Sequence, residues 1–236
     1  MKFIAIAGLS FLFLLNFLCP VKAQSMHDLF LALPDNCTPG LSIEDRKTLI
    51  KDTEFTVSGQ TEIDDIDYTI DTVSKNYLAY EYSNGKGAGV NESYEIKKFK
   101  LKNGKYLLIF SKTGNPQIHS SRYILKAYDI MGKSLVENMK TPIPEDLDYK
   151  VFLKFDTPDS VRAQFEKSCY YTFDLDPGSK DQVNFHIIME TDAYKQWLTG
   201  NTMLFQWNGN MFISSIVFQK EENTTDETIP SEPYKR

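Results

Sequence analysis

The sequence predicts an α+β protein: a mostly antiparallel β-sheet, built from hairpins in a meander and covered by short helices. Three observations carry this expectation. The opening stretch "SMHDLFLALPDNCTPGLSIEDRKTLI", residues 25–50, is patterned as two short amphipathic helices. From Phe55 onward the chain is rich in Tyr, Phe, Ile, Val and Thr, the residues that fit a pleated surface. Glycine-containing turn dipeptides then recur between apolar runs, as antiparallel hairpins require.

Residues 1–23 read as a signal peptide. Lys2 precedes the apolar run Phe3 to Leu18, and Val21-Lys22-Ala23 suits a cut before Gln24. A spanning helix would need roughly 20 apolar residues, and Asn16 and Pro20 interrupt a shorter run. Leu18 is too bulky a neighbour for Cys19 to be a lipidation site. The expected location is therefore secreted or periplasmic, with nothing integral to the membrane after cleavage. Losing Lys2 and Lys22 leaves 24 basic residues against 32 acidic ones, a net charge of −8. Phosphate backbones would be repelled, so nucleic acid is not an expected partner. About 213 residues remain, enough to bury a core.

Within residues 24–220, the expected α+β domain, the elements follow in order. Asp28 to Leu33 is a short helical turn ended by Pro34, and Pro39-Gly40 breaks the chain before Ser42. Ser42 is an N-cap with Asp45 three residues on, and Leu41, Ile43, Leu49 and Ile50 share the apolar face of the second helix. The segment is expected to lie as a lid, with Leu29, Phe30, Leu33, Leu49 and Ile50 against the sheet. "IDYTIDTV" alternates an apolar and an acidic face, as a solvated edge strand would. Asn103-Gly104 and Asn208-Gly209 set two hairpins; Ile130-Met131-Gly132 and Pro177-Gly178 set two more. Asp159 to Ser168 and Thr191 to Leu198 are short helices, and "SNGKGAGVNES" is a loop. The tail 221–236 lacks the apolar content to fold. Two similar α+β lobes meeting near 140–148, where Pro142 and Pro144 lie, and one continuous sheet are both compatible with this order.

Chemistry is sparse. His27, His119 and His186 have none of the spacings that put two imidazoles on one helical face for a metal. No Gly-x-Ser-x-Gly elbow and no phosphate loop occur, so no cofactor is expected. A Cys169 nucleophile with His186 as base is one option. Another is the acidic cluster Glu62, Asp64, Asp65, Asp67 and Asp71, as a calcium site or an acid–base pair, although strand alternation also explains it as a wet face. "DLDPGSKD", 174–181, is read as a hairpin turn in preference to a calcium loop. In an oxidising compartment Cys37 and Cys169 are a candidate disulfide, with two buried thiols as the alternative. Aromatic residues make up 13% of the chain, and Tyr77, Tyr80, Tyr82, Trp197 and Trp207 are candidates to line a glycan or protein surface.

The run "AQSMHDLFLALPD" followed by "LSIEDRKTLI" resembles the start of an uncharacterised family of exported proteins, a domain of unknown function typical of Bacteroidetes. Asp28, Leu29, Phe30, Pro34, Asp35, Leu41, Arg46, Leu49 and Ile50 carry the likeness. "LKNGKYLLIFSKTG", "YILKAYD" and "QWNGNMF" extend it more loosely; Cys37 and the "SNGKGAGVNES" insertion depart from it. The resemblance implies export and a shared fold, and no activity. It also implies a bacterial O-glycosylation pattern that would fall on Thr72 and Ser160. The Asn-x-Ser/Thr triplets at Asn36, Asn91 and Asn223 would matter only in a eukaryotic host. The expected function is a non-catalytic binding or accessory module for an envelope protein or a glycan. A periplasmic carboxylate hydrolase and a small-molecule carrier on a closed barrel are the alternatives.

Overall fold

The computed structural model describes residues 24–57, 66–84, 92–114, 124–138, 142–144, 147, 149–175, 178–188 and 192–218. The leader 1–23, Glu62, Asp64, Asp65, the 85–91 part of the loop, Asn91, His119, Thr191, Asn223 and the tail 221–236 lie outside them.

Two antiparallel sheets form. Strands β1 (Glu54–Val57), β2 (Ile66–Val73), β3 (Tyr77–Asn84), β4 (Glu92–Lys100), β5 (Tyr106–Gly114), β6 (Ile124–Met131) and β7 (Ser134–Glu137) make a seven-stranded meander in sequence order. Strands β8 (Tyr170–Asp174), β9 (Gln182–Ile188), β10 (Thr202–Trp207) and β11 (Phe212–Val217) make a four-stranded one. All four expected hairpins are present: β4–β5, β6–β7, β8–β9 and β10–β11 pair antiparallel. Gly104 and Gly209 sit at φ 82° and 90°, a region open to glycine and costly for other residues.

The first helix, α1, spans Met26–Leu31, two residues ahead of the expected start, because Ser25 and Asp28 close a capping box. The second, α2 (Ile43–Asp52), starts at Ser42 with Asp45 as expected, and Thr53 ends it at φ 65°. The third, α3 (Asp159–Ser168), has the expected bounds, while the Thr191–Leu198 helix is a 3-10 helix over Asp192–Trp197. Of the expected lid residues, Leu29, Phe30, Leu33 and Leu49, with Met26, Cys37 and Leu41, meet Tyr68, Leu78, Tyr80, Ile96, Leu108 and Tyr128 on one face of the seven-stranded sheet, and Ile50 is only partly buried against them. Ile43 does not join them. It is 55% exposed, and Arg46 takes the inward position at 1%.

Two further expectations are corrected. The strand "IDYTIDTV" is not the sheet edge, because β1 pairs outside it and β3 inside, with a bulge between Ile70 and Thr72. Nor do the two halves form separate lobes. Tyr77, Phe99, Leu107 and Ile109 from the first sheet share one core with Phe173, Phe185, Phe205 and Trp207 from the second, and with Phe152 and Phe165. The layers are thus lid, seven-stranded sheet, and a cover of four strands and short helices. The first sheet is open, with β1 and β7 at its ends and side chains packed on both faces, so the described residues do not make a closed barrel.

Candidate functional site

Because both faces of the first sheet are covered, its central strand β4 buries charge on each side. Tyr94, Ile96 and Lys98 point to the lid; Glu95, Lys97 and Phe99 point to the second sheet. Lys98 sends its ammonium to the Gln24 carbonyl at 2.8 Å, and burial holds its pKa below the usual lysine range. The Lys97 ammonium donates to the carbonyls of Leu175 and, at 2.7 Å, Gln182. Glu95 accepts from the Tyr77 hydroxyl at 2.5 Å and from the Leu175 amide at 3.2 Å. Two side chains on one strand thereby hold both backbone polar groups at the end of β8. Burial raises the Glu95 carboxyl to about 7, partly opposed by its bonds to Tyr77 and Leu175 and by Lys97. Such a carboxyl has the signature of an acid–base residue, but both its oxygens are engaged, one with Tyr77 of the neighbouring strand and the other with Leu175 across to the second sheet.

The lid is held by hydroxyls as well as apolar contact. Tyr68 donates to the Pro39 carbonyl, Tyr80 to the Cys37 carbonyl at 2.5 Å, and the Tyr128 hydroxyl lies 3.2 Å from the Cys37 thiol. Arg46 spreads its guanidinium over the carbonyls of Leu33 at 2.6 Å and Leu31 at 3.3 Å and the Asp35 carboxylate at 2.7 Å. A cation thus sits at the C-terminal end of α1, where the helix dipole favours it. Asp35 and Arg46, read only as matching positions in the sequence, are bonded to each other.

The cysteines stay apart. Cys37 lies in the lid core and Cys169 in the core on the opposite face of the sheet, and both are free thiols. The disulfide expectation fails because the sheet separates them. The catalytic cysteine fares no better: burial pushes the Cys169 thiol up to about 12, and its sulfur faces the Tyr170 carbonyl at 3.6 Å. His186 lies opposite Thr172 and Thr202 in the second sheet, its pKa lowered by burial against a raising influence from Asp174. His27 is on exposed α1 surface. Of the acidic cluster, Asp67 accepts from Thr56 at 2.7 Å on the sheet surface, and Asp71 is held up by burial and by Glu81. Thr72 and Ser160 are exposed. Tyr77, Tyr80 and Trp207 are core residues at 5%, 0% and 6% exposure, so they line no external surface; Tyr82 and Trp197 are half-buried.

One surface feature stands out physically. Phe155 is 101% exposed, yet its turn is braced from three directions. Arg162 donates through Nε to the Thr157 carbonyl at 2.9 Å and through Nη2 to the carbonyls of Lys154 and Phe155 at 2.8 and 2.9 Å. Thr157 Oγ1 donates to the Lys154 carbonyl at 2.7 Å, and Lys154 donates its amide to Trp197 at 2.9 Å and its ammonium to Gln196 at 2.7 Å. The polar groups turn inward onto backbone carbonyls, leaving a bare ring on a fixed support. Sequence reading missed Phe155; its signal is a lone aromatic inside the turn-forming run "KFDTPD".

These features define a two-sheet antiparallel α+β protein with a helical lid. A domain of an uncharacterized protein from Porphyromonas gingivalis W83 has a similar fold: the TM-score is 0.56 at 13% identity, over 82% of this chain and 100% of that one. No family model matches, and no curated protein does.

Proposed function

We propose that the protein is an exported, non-catalytic binding module of the cell envelope whose partner is another protein, docked through the Phe155 turn. The observation that carries this reading is a fully exposed phenylalanine on a braced support. Leaving such a ring in water forgoes about 2 kcal/mol of burial. Holding the backbone of the turn in place means that little backbone entropy is lost when a partner's apolar socket closes over the ring. A glycan is less well matched, since the donors on Lys154 and Arg162 are engaged by backbone carbonyls of the protein itself. The leader and the family resemblance support export, and the acidic balance argues against a nucleic-acid partner.

Crosslinking of the native envelope fraction, with mass spectrometry, tests the reading. One saturable protein partner is expected, captured through residues near 154–162. Phe155→Ala should weaken capture at least tenfold, a typical cost for losing an anchoring aromatic, while leaving the melting temperature unchanged. Capture unaffected by Phe155→Ala would refute the site, and specific capture of an oligosaccharide would replace the protein partner with a glycan.

A further inference from the structure

We propose that β11 is a docking edge for a second copy of this chain, with the two strands pairing antiparallel about a two-fold axis at Ser215. Among the described residues β11 ends the four-stranded sheet. The Trp207 amide donates to Asp181 on the β9 side at 2.7 Å, so alternate residues of β10 face β11. Ile213, Ser215 and Val217 therefore direct their backbone groups to β10, and Val217 accepts from Asn201 at 2.9 Å, as this phase requires. Phe212, Ser214 and Ile216 present theirs to the open edge.

The edge lacks the usual protection. "MFISSIVF", from Met211 to Phe218, contains no charge and no proline, and Met211, Ile213 and Phe218 are 54%, 57% and 50% exposed. Other edges are guarded. β1 opens with Glu54 after Asp52, and β7 follows Lys133 and ends on Glu137. β8 is tied to the first sheet through Thr113–Thr172 at 2.8 Å and, just past its end, through the Lys97 bond to the Leu175 carbonyl. A copy of the same chain is the occupant that this edge fits. Each molecule carries a net negative charge, −6 over the full sequence and −8 without residues 1–23, so contact is least opposed where the surface is neutral. The segment is also self-matched. Pairing about Ser215 sets Ile213 opposite the partner's Val217 and Phe212 opposite the partner's Phe218. Ser214 and the partner's Ile216 then exchange both backbone bonds, and the closed two-fold joins two four-stranded sheets into one.

Sedimentation and light scattering of the purified protein across micromolar concentrations should show a monomer–dimer equilibrium. Ser215 is exposed and meets its own copy, so Ser215→Lys and Ser215→Glu should each weaken the dimer several-fold, and mixing the two should restore it. Ser215→Cys should crosslink under oxidising conditions, since unbonded opposite pairs have Cα atoms about 4.5 Å apart. Ser214→Pro removes an outward amide and spares the β10 ladder, so it too should favour monomer. A wild-type monomer throughout would overturn the proposal, as would a dimer that neither Ser215→Lys nor Ser214→Pro weakens. Should the proline variant melt early, the charge-swap pair decides the matter alone.

Discussion

Glu95 shows what a buried carboxyl costs. Its folded pKa, about 7, lies above the unfolded value of 4.5. The folded state therefore holds the proton more tightly, and the stability it contributes is complete below about 4.5 and lost as pH rises through 7. The size is at most about 3 kcal/mol. His186, its pKa lowered by burial, acts with the opposite sign, losing stability as pH falls. The clean readout is thus the difference between variants: Tm measured from pH 5 to 8 should drop more steeply for the wild type than for Glu95→Gln. Parallel profiles would show that Glu95 does not titrate in that window. Arg46 makes the complementary case. Its charge is offset less by exposed Asp35 than by the two carbonyls it caps. Arg46→Ala should cost about 2–3 kcal/mol, or about 4–12 °C in Tm. Arg46→Lys should recover only part, because an ammonium cannot reproduce the planar fork. A silent Arg46→Ala would mean that the lid is held by apolar contact alone.

The lid and the hairpins differ in how much of them the sequence discloses. Asn103-Gly104 and Asn208-Gly209 reveal their hairpins because the dipeptide itself adopts the turn, a local cause with a local signal. The amphipathic faces of residues 25–50 likewise show that something apolar lies beneath. Arg46 hides within that pattern, since an arginine on a helix reads as outward until its carbonyl partners, supplied by a turn 13 residues earlier, are known. In β4 the local signal fails altogether: "EIKKFK" has no polar face because both faces are covered, and its charges find partners as far away as Gln24 and Gln182. Pairing order escapes for the same reason, and β2 reads as an edge although β1 lies outside it. At this scale the expectation concerns the lid as a unit. Deleting residues 25–52 strips the cover from Tyr68, Tyr80 and Tyr128, and the truncated chain should lose its cooperative thermal transition. A retained sharp melt would recast the segment as a docking arm.

Across the whole molecule, one seven-stranded sheet serves two cores, and among the described residues the two free cysteines lie one in each. Each is sealed from reagent and raised in pKa by burial, so neither is reactive while its layer is closed. The pair therefore works as two chemical clocks in a single chain. The rate at which an alkylating agent reaches Cys37 times the lifting of the lid; the rate at Cys169 times the parting of the sheets. Equal rates would say that the three layers open as one event, and a faster Cys37 would say that the lid breathes on a sheet pair that stays shut.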